Sequence, residues 1–259
     1  MSKPKHQAAI AEFLGTFILV FAGTGAIVVH DIYGGITHLG IAITFGLVVS
    51  SVIFAYGDIS GAHINPAVTI GFWLARRFPA AGLLPYLSAQ FGGAICASLT
   101  LHALFPDHPH LGATLPSGTL TQSLILEIVM SWWLMAVILS VAQGAKERGL
   151  VAGLIIGAVV ALEATFGGPV SGASMNPARS LGPALVSGNL SHLWIYLVAP
   201  VIGCGLATAS HTLVHGQDRF DLPGKAATED AATAPADSES HHREQPVAAA
   251  TGNDNEPFP

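Results

Sequence analysis

Charge is scarce in this 259-residue chain: Asp, Glu, Lys and Arg make up 10% of it, against 51% hydrophobic residues. A soluble domain usually carries about a quarter charged residues, so the shortage excludes an ordinary water-soluble globule. Cysteine is scarcer still. Cys96 and Cys204 are the only two, both inside apolar stretches, which excludes a disulfide framework and leaves buried structural thiols as the expectation. Segments of about ten residues alternating polar with apolar, the mark of a membrane β-barrel, are missing. No nucleophile–base pattern points to an enzyme, no fixed ligand spacing points to a metal or cofactor, and nothing supports nucleic-acid binding.

What the chain does have is six apolar stretches of about 20 residues, the length that crosses a bilayer core: roughly 8–29, 36–57, 82–104, 120–142, 149–167 and 193–214. With a barrel excluded, helices are the remaining way to span, and the fold class is an all-α membrane protein. The start, "MSKPKHQAAIAEFLG", has the basic beginning of a signal peptide, but its apolar run of about 22 residues exceeds a cleavable core and reads as an uncleaved first helix.

Charge position adds orientation. Up to His215 seven Lys/Arg and seven Asp/Glu cancel, so the whole net charge of −6 sits in 216–259. That segment is rich in Ala, Pro, Ser and Thr and reads as a disordered acidic tail behind a membrane domain over 1–215. Basic residues concentrate in cytoplasmic loops. With both termini cytoplasmic, Lys3, Lys5, Arg76, Arg77, Lys146, Arg148 and the tail cations all fall on that side, and only Arg179 breaks the rule.

Two stretches nearly repeat, "SGAHINPAVT" at 60–69 and "SGASMNPARS" at 171–180. Glu12 precedes Asn65 by 53 residues and Glu127 precedes Asn176 by 49. The halves run over about 8–104 and 120–215 with three spans each. An odd number forces the second half to enter from the opposite side, which gives an inverted repeat. After each Asn follow about a dozen helix-compatible residues, 66–77 and 177–188, too short to span, so they are re-entrant half-helices. Asn caps such a helix through its side-chain oxygen, Pro66 and Pro177 suit the next position, and Ala67 and Ala178 allow close packing. Non-helical backbone at membrane depth is tolerated where it is buried or lines a watery cavity. Two half-helices meeting tip to tip thus imply a pore, with positive dipole ends and two amide NH2 groups at its centre, which passes neutral molecules and repels protons and cations.

Here the chain resembles the aquaporin (major intrinsic protein) family over about residues 8–215, on "AEFLGTF" (11–17), "SGAHINPAVT" and "SGASMNPARSLGP" (171–183). "GIAITFGLVV" (40–49), "NPAVTIGFWLARRFP" and "GPVSGASMNPARSLGP" are most similar to its nodulin-type branch. The resemblance implies six spanning helices, two half-helices, one pore per subunit and a homotetramer in the cell (plasma or inner) membrane. It also implies solutes such as water, glycerol, urea or undissociated metalloid acids. By family position the narrow filter is Phe45, Ala164, Ala173 and Arg179, and His63 lines the inner vestibule. Water-selective members typically have His at the Ala164 position, so two small side chains imply a wider constriction here. Glycerol-selective members usually have Asp after the arginine, where this chain has Ser180.

Among the remaining polar residues, Glu12 and Glu127 are expected to hold the re-entrant loops by their backbone N–H groups, and Glu163 either to brace the Arg179 loop from behind or simply to pack against a neighbouring helix. Asp58 is expected to be solvated. His102, Asp107, His108 and His110 read as part of an ordinary external loop rather than a metal site. A proton-coupled secondary transporter using Glu12, Glu127 and Glu163 is the alternative function, since inverted repeats with broken helices also build transporters.

Overall fold

The computed structural model describes residues 5–142 and 146–216; apart from Gly216, the tail expected over 216–259 lies outside them. The described residues form α1 (Lys5–Tyr33), α2 (His38–Ser60), α3 (Pro66–Leu74), α4 (Leu83–Leu104), α5 (Leu120–Val141), α6 (Lys146–Ser171), α7 (Pro177–Ser187) and α8 (Leu193–His215). A short 3-10 turn at Ala80–Gly82 precedes α4. Six helices are long and apolar enough to cross a membrane; α3 and α7, at 9 and 11 residues, are not. The expected half-helix over 66–77 stops sooner because Arg76 turns left-handed (φ 59°). Its N–H then donates to the Trp73 carbonyl and that of Arg77 to the Phe72 carbonyl, the paired bonds that close a helix C-terminus.

The packing follows the repeat. α1 lies on α4 as α5 lies on α8, α2 crosses α6 between the halves, and each half-helix packs on a spanning helix of the other half, α7 on α4 and α3 on α8. Glycine allows the close crossings. A Cβ on Gly46 of α2 would strike the Gly157 carbonyl of α6, and one on Gly157 the Gly46 carbonyl. A Cβ on Gly93 of α4 would strike the Phe13 carbonyl, and one on Gly203 of α8 the Ile128 carbonyl. Phe13 and Ile128 each directly follow a buried glutamate. Helices without a hydrophobic drive between them associate through such small-residue contacts.

Outward faces carry large apolar side chains such as Ile10, Leu14 and Ile18, one per turn, as hydrocarbon surroundings require. Cys204 is buried as expected, but Cys96 is not: it sits on the exposed face of α4, one residue from Ala97, which packs inward. One position along a helix is about 100° around it, so apolar context alone did not place that thiol.

Candidate functional site

Each re-entrant loop is held in a backbone conformation that side chains resist. Ala62 and Ile64 in the first, and Ala173 and Met175 in the second, have φ of 46°, 44°, 42° and 53°. Left-handed backbone costs of order 1–3 kcal/mol per non-glycine residue and is rare for a β-branched side chain. The compensation comes from the paired glutamates, both fully buried. Glu12 Oε1 accepts from Ser60 Oγ (2.7 Å) and the His63 N–H (2.9 Å), and Oε2 from the Ile64 N–H (2.7 Å) and Gln90 Nε2 (2.7 Å). Glu127 Oε1 accepts from Ser171 Oγ (2.7 Å) and the Ser174 N–H (2.8 Å), and Oε2 from the Met175 N–H (2.8 Å). The Tyr86 hydroxyl donates to the Ser60 carbonyl (2.7 Å) as that of Tyr196 donates to the Ser171 carbonyl (2.6 Å). These serines, tyrosines and Gln90 escaped the sequence reading; the signal was present, since Tyr86 precedes Gly93 by the same seven residues that separate Tyr196 from Gly203.

The half-helix tips abut. Asn65 Oδ1 accepts from the Ala67 and Val68 N–H groups (2.9 and 3.4 Å), and its Nδ2 crosses to the Met175 carbonyl of the other loop (2.8 Å). Asn176 mirrors it, with Oδ1 accepting from Ala178 and Arg179 (3.0 and 3.3 Å) and Nδ2 donating to the Ile64 carbonyl (2.9 Å). Pro66 and Pro177 occupy the first helical positions, where no N–H is needed. Ala67 and Ala178 are fully buried. Each amide NH2 carries two hydrogens. One is used across the joint, and both asparagines line the cavity beside it.

Two cavities meet in this region. A central one of about 150 Å³ runs past His63, Asn65, Asn176 and Met175, walled mostly by apolar side chains. A mouth cavity of about 240 Å³ lies on the side of the α1–α2 connection, against His38, Ile41 and Leu115. Phe45, Ala164, Ala173 and Arg179 line both, so they form the boundary between the two. The Arg179 guanidinium lies 5.0 Å from the Phe45 ring centroid and donates from Nη1 to the Gly112 carbonyl (2.8 Å). At the other end of the central cavity His63 stacks on Phe72 (4.6 Å), lies near Phe78 and Tyr86, and faces Thr69 Oγ1 at 3.2 Å through Nδ1.

Two expectations need correction. Glu163 is fully buried, but among the described residues neither carboxylate oxygen has a hydrogen-bond partner, so no direct hydrogen bond from it braces the Arg179 loop and its burial fits the packing alternative. Glu127 holds that loop, and α6 turns Glu163 away from the boundary that Ala164 lines. The segment 105–119 is also more than an outer loop, because Leu111 and Thr114 are buried, Gly112 supplies the carbonyl for Arg179, and Thr114 Oγ1 donates to Ser180 Oγ (2.7 Å). The apolar run "LGATL" (111–115) was the available signal. Of the histidines here, His108 holds the segment in place, whereas His102 lies in the last turn of α4. His108 Nε2 pairs with Asp31 (3.2 Å) while its Nδ1 accepts from the Leu111 N–H (2.9 Å), and His102, Asp107 and His110 are exposed, as is Asp58.

Comparison with known proteins agrees with this geometry. The family model described as Major intrinsic protein matches residues 1–211. Aquaporin NIP1-1 of Zea mays is 47% identical over 216 residues, 83% of this chain and 77% of that one. Nodulin-26 of Glycine max is 45% identical over 221 residues, 85% and 82% of the two chains. Among solved structures, the aquaglyceroporin from Plasmodium falciparum superposes with a TM-score of 0.75 at 26% identity, over 82% of this chain and 97% of that one. The chain therefore belongs to the major intrinsic protein family, and is an integral membrane channel for water and small neutral solutes rather than an enzyme.

Proposed function

We propose that solutes pass from the mouth cavity through a filter of Phe45, Ala164, Ala173 and Arg179, then past Asn65 and Asn176, and leave by the vestibule at His63. The observation that carries this reading is the single boundary: the four side chains shared by both cavity walls. Phe45 supplies an apolar face, the two alanines leave width for molecules larger than water, and Arg179 supplies donors and a fixed positive charge. At the joint the second hydrogen of each amide meets an acceptor oxygen, and the half-helix dipoles face inward with their positive ends. A proton or cation therefore meets two positive barriers, and a neutral oxygen meets donors.

Water, glycerol and other small uncharged solutes, undissociated metalloid acids among them, fit these walls. The similarity to an aquaglyceroporin supports water and glycerol within this range. Glu12 and Glu127 serve as fixed acceptors for the loops rather than as a proton relay, and the number of donors each already binds supports that role. The channel domain covers 1–215, ahead of an acidic tail over 216–259. It assembles as a homotetramer in the bilayer of the cell membrane, with both termini cytoplasmic, as the distribution of Lys and Arg supports.

Stopped-flow light scattering on proteoliposomes tests this reading. Water and glycerol permeabilities above those of empty vesicles, without a proton gradient, are expected. Solute uptake that requires a proton gradient would replace it with the transporter.

A further inference from the structure

The mouth cavity holds a polar group that the filter does not use. His38, at the start of α2, lies seven residues before Phe45, on the same helix face and about 10 Å further out. Its ring nitrogen Nε2 sits 2.7 Å from the Thr165 carbonyl of α6. A carbonyl only accepts, so Nε2 carries the hydrogen, and Nδ1 of the neutral ring is an acceptor. Among the described residues nothing donates to that Nδ1. The ring lies against Gly168, where a Cβ would come within 2.6 Å of His38 Cε1, so the glycine makes room for it. The other side chains on this cavity wall are apolar except Arg179, which only donates. Among the described residues His38 is thus this wall's one side-chain acceptor.

We propose that His38 is a recognition station for neutral polyhydroxyl solutes at the channel mouth, accepting their hydroxyl hydrogens before Arg179 engages their oxygens. This rests on the channel reading above. A cavity of about 240 Å³ holds several waters at roughly 30 Å³ each, so water crossing it keeps hydrogen-bonding to water. A polyol displaces those waters, and on this wall its hydroxyl donors meet backbone groups and a single side-chain acceptor, so a donor left unpaired there costs free energy. An acceptor at this level lowers that cost for the polyol and matters little for water.

The test is the ratio of glycerol to water permeability in proteoliposomes of the full chain. His38→Phe keeps the ring volume and removes the acceptor. The ratio is expected to fall about three- to tenfold, the factor carried by one neutral hydrogen bond, with water permeability unchanged. His38→Gln, which retains a donor and an acceptor, restores the ratio. Gly168→Ala displaces the same ring and lowers the ratio, but has no further effect in a His38→Ala background, where no ring remains to be displaced. This cycle also decides the matter where His38→Phe does not fold. An unchanged ratio in His38→Phe, equal losses of water and glycerol, or an additive Gly168→Ala effect would overturn the station and leave the channel standing. Wild-type vesicles no more permeable than empty ones would overturn the channel reading itself.

Discussion

Glu12 and Glu127 hold equivalent loops in different company. Glu12 takes four hydrogen bonds, the fourth from Gln90, whose Nε2 also lies 2.9 Å from Thr69 Oγ1. The residue matching Gln90 in the second half is Pro200, which has no side-chain donor, and Glu127 takes three. The pair His63 and Thr69 becomes Ser174 and Ser180, and Val68 becomes Arg179. What the halves share (glutamate, serine, tyrosine, the close-packing glycines and Asn-Pro-Ala) sets the backbone. What they do not share, His63 and Arg179 above all, lies along the cavities. Repetition marks the frame and the paired asparagines at its joint, and departure from repetition marks what makes the two ends of the cavity differ.

The largest effect should come from breaking the frame. Glu12→Ala leaves the Ser60 hydroxyl and the His63 and Ile64 N–H groups without their acceptor and the Gln90 amide with Thr69 alone, and Glu127→Ala leaves three donors, each unpaired donor costing about 1–3 kcal/mol. Both variants should lose folded channel, Glu12→Ala more severely, as thermal melting in detergent followed by size exclusion would record. Equal melting temperatures would show that Gln90 adds nothing.

Next comes the departure itself. Arg179→Val makes the second half match Val68 of the first and removes the fixed cation. Glycerol permeability should rise and a proton leak should appear, by about tenfold for each 1.4 kcal/mol of barrier lost, measured with a pH dye inside vesicles. Ala164→Trp acts in the opposite direction and should abolish glycerol flux while reducing water flux less. Gly93→Ala and Gly203→Ala should each cost about 1–3 kcal/mol through overpacking and by similar amounts, since each presses on the carbonyl that follows a loop glutamate. Smallest of all, Glu163→Gln should leave water flux unchanged, because among the described residues the acid has no hydrogen bond to lose. A large loss of flux would reinstate it as a brace.

Much of this architecture could be read from the chain. The six spans are legible because bilayer thickness imposes length, and the half-helices because Asn-Pro occurs twice with matched spacing to a glutamate. Other parts were hidden for physical reasons. Tyr86 and Tyr196 act through one hydroxyl on a distant carbonyl, which leaves only a spacing in the sequence. The Gly112 carbonyl is a backbone group, so no residue type announces it. Cys96 is not legible because one step along a helix changes which face a side chain occupies, and apolar surroundings in sequence do not report that angle; for Glu163 the helical step places it off the cavity face, but the sequence does not show what it touches there. His38 drew no notice because its significance depends on Thr165 and Gly168, both more than 120 residues away.

The central claim is that the joined half-helices pass neutral solute and stop protons. Its most direct measurement follows water and proton movement in one proteoliposome preparation, water by light scattering under an osmotic gradient and protons by an internal pH dye under an imposed pH gradient. Water permeability well above that of empty vesicles, with proton permeability equal to theirs, is the predicted result. Protons moving in step with water or solute would contradict it.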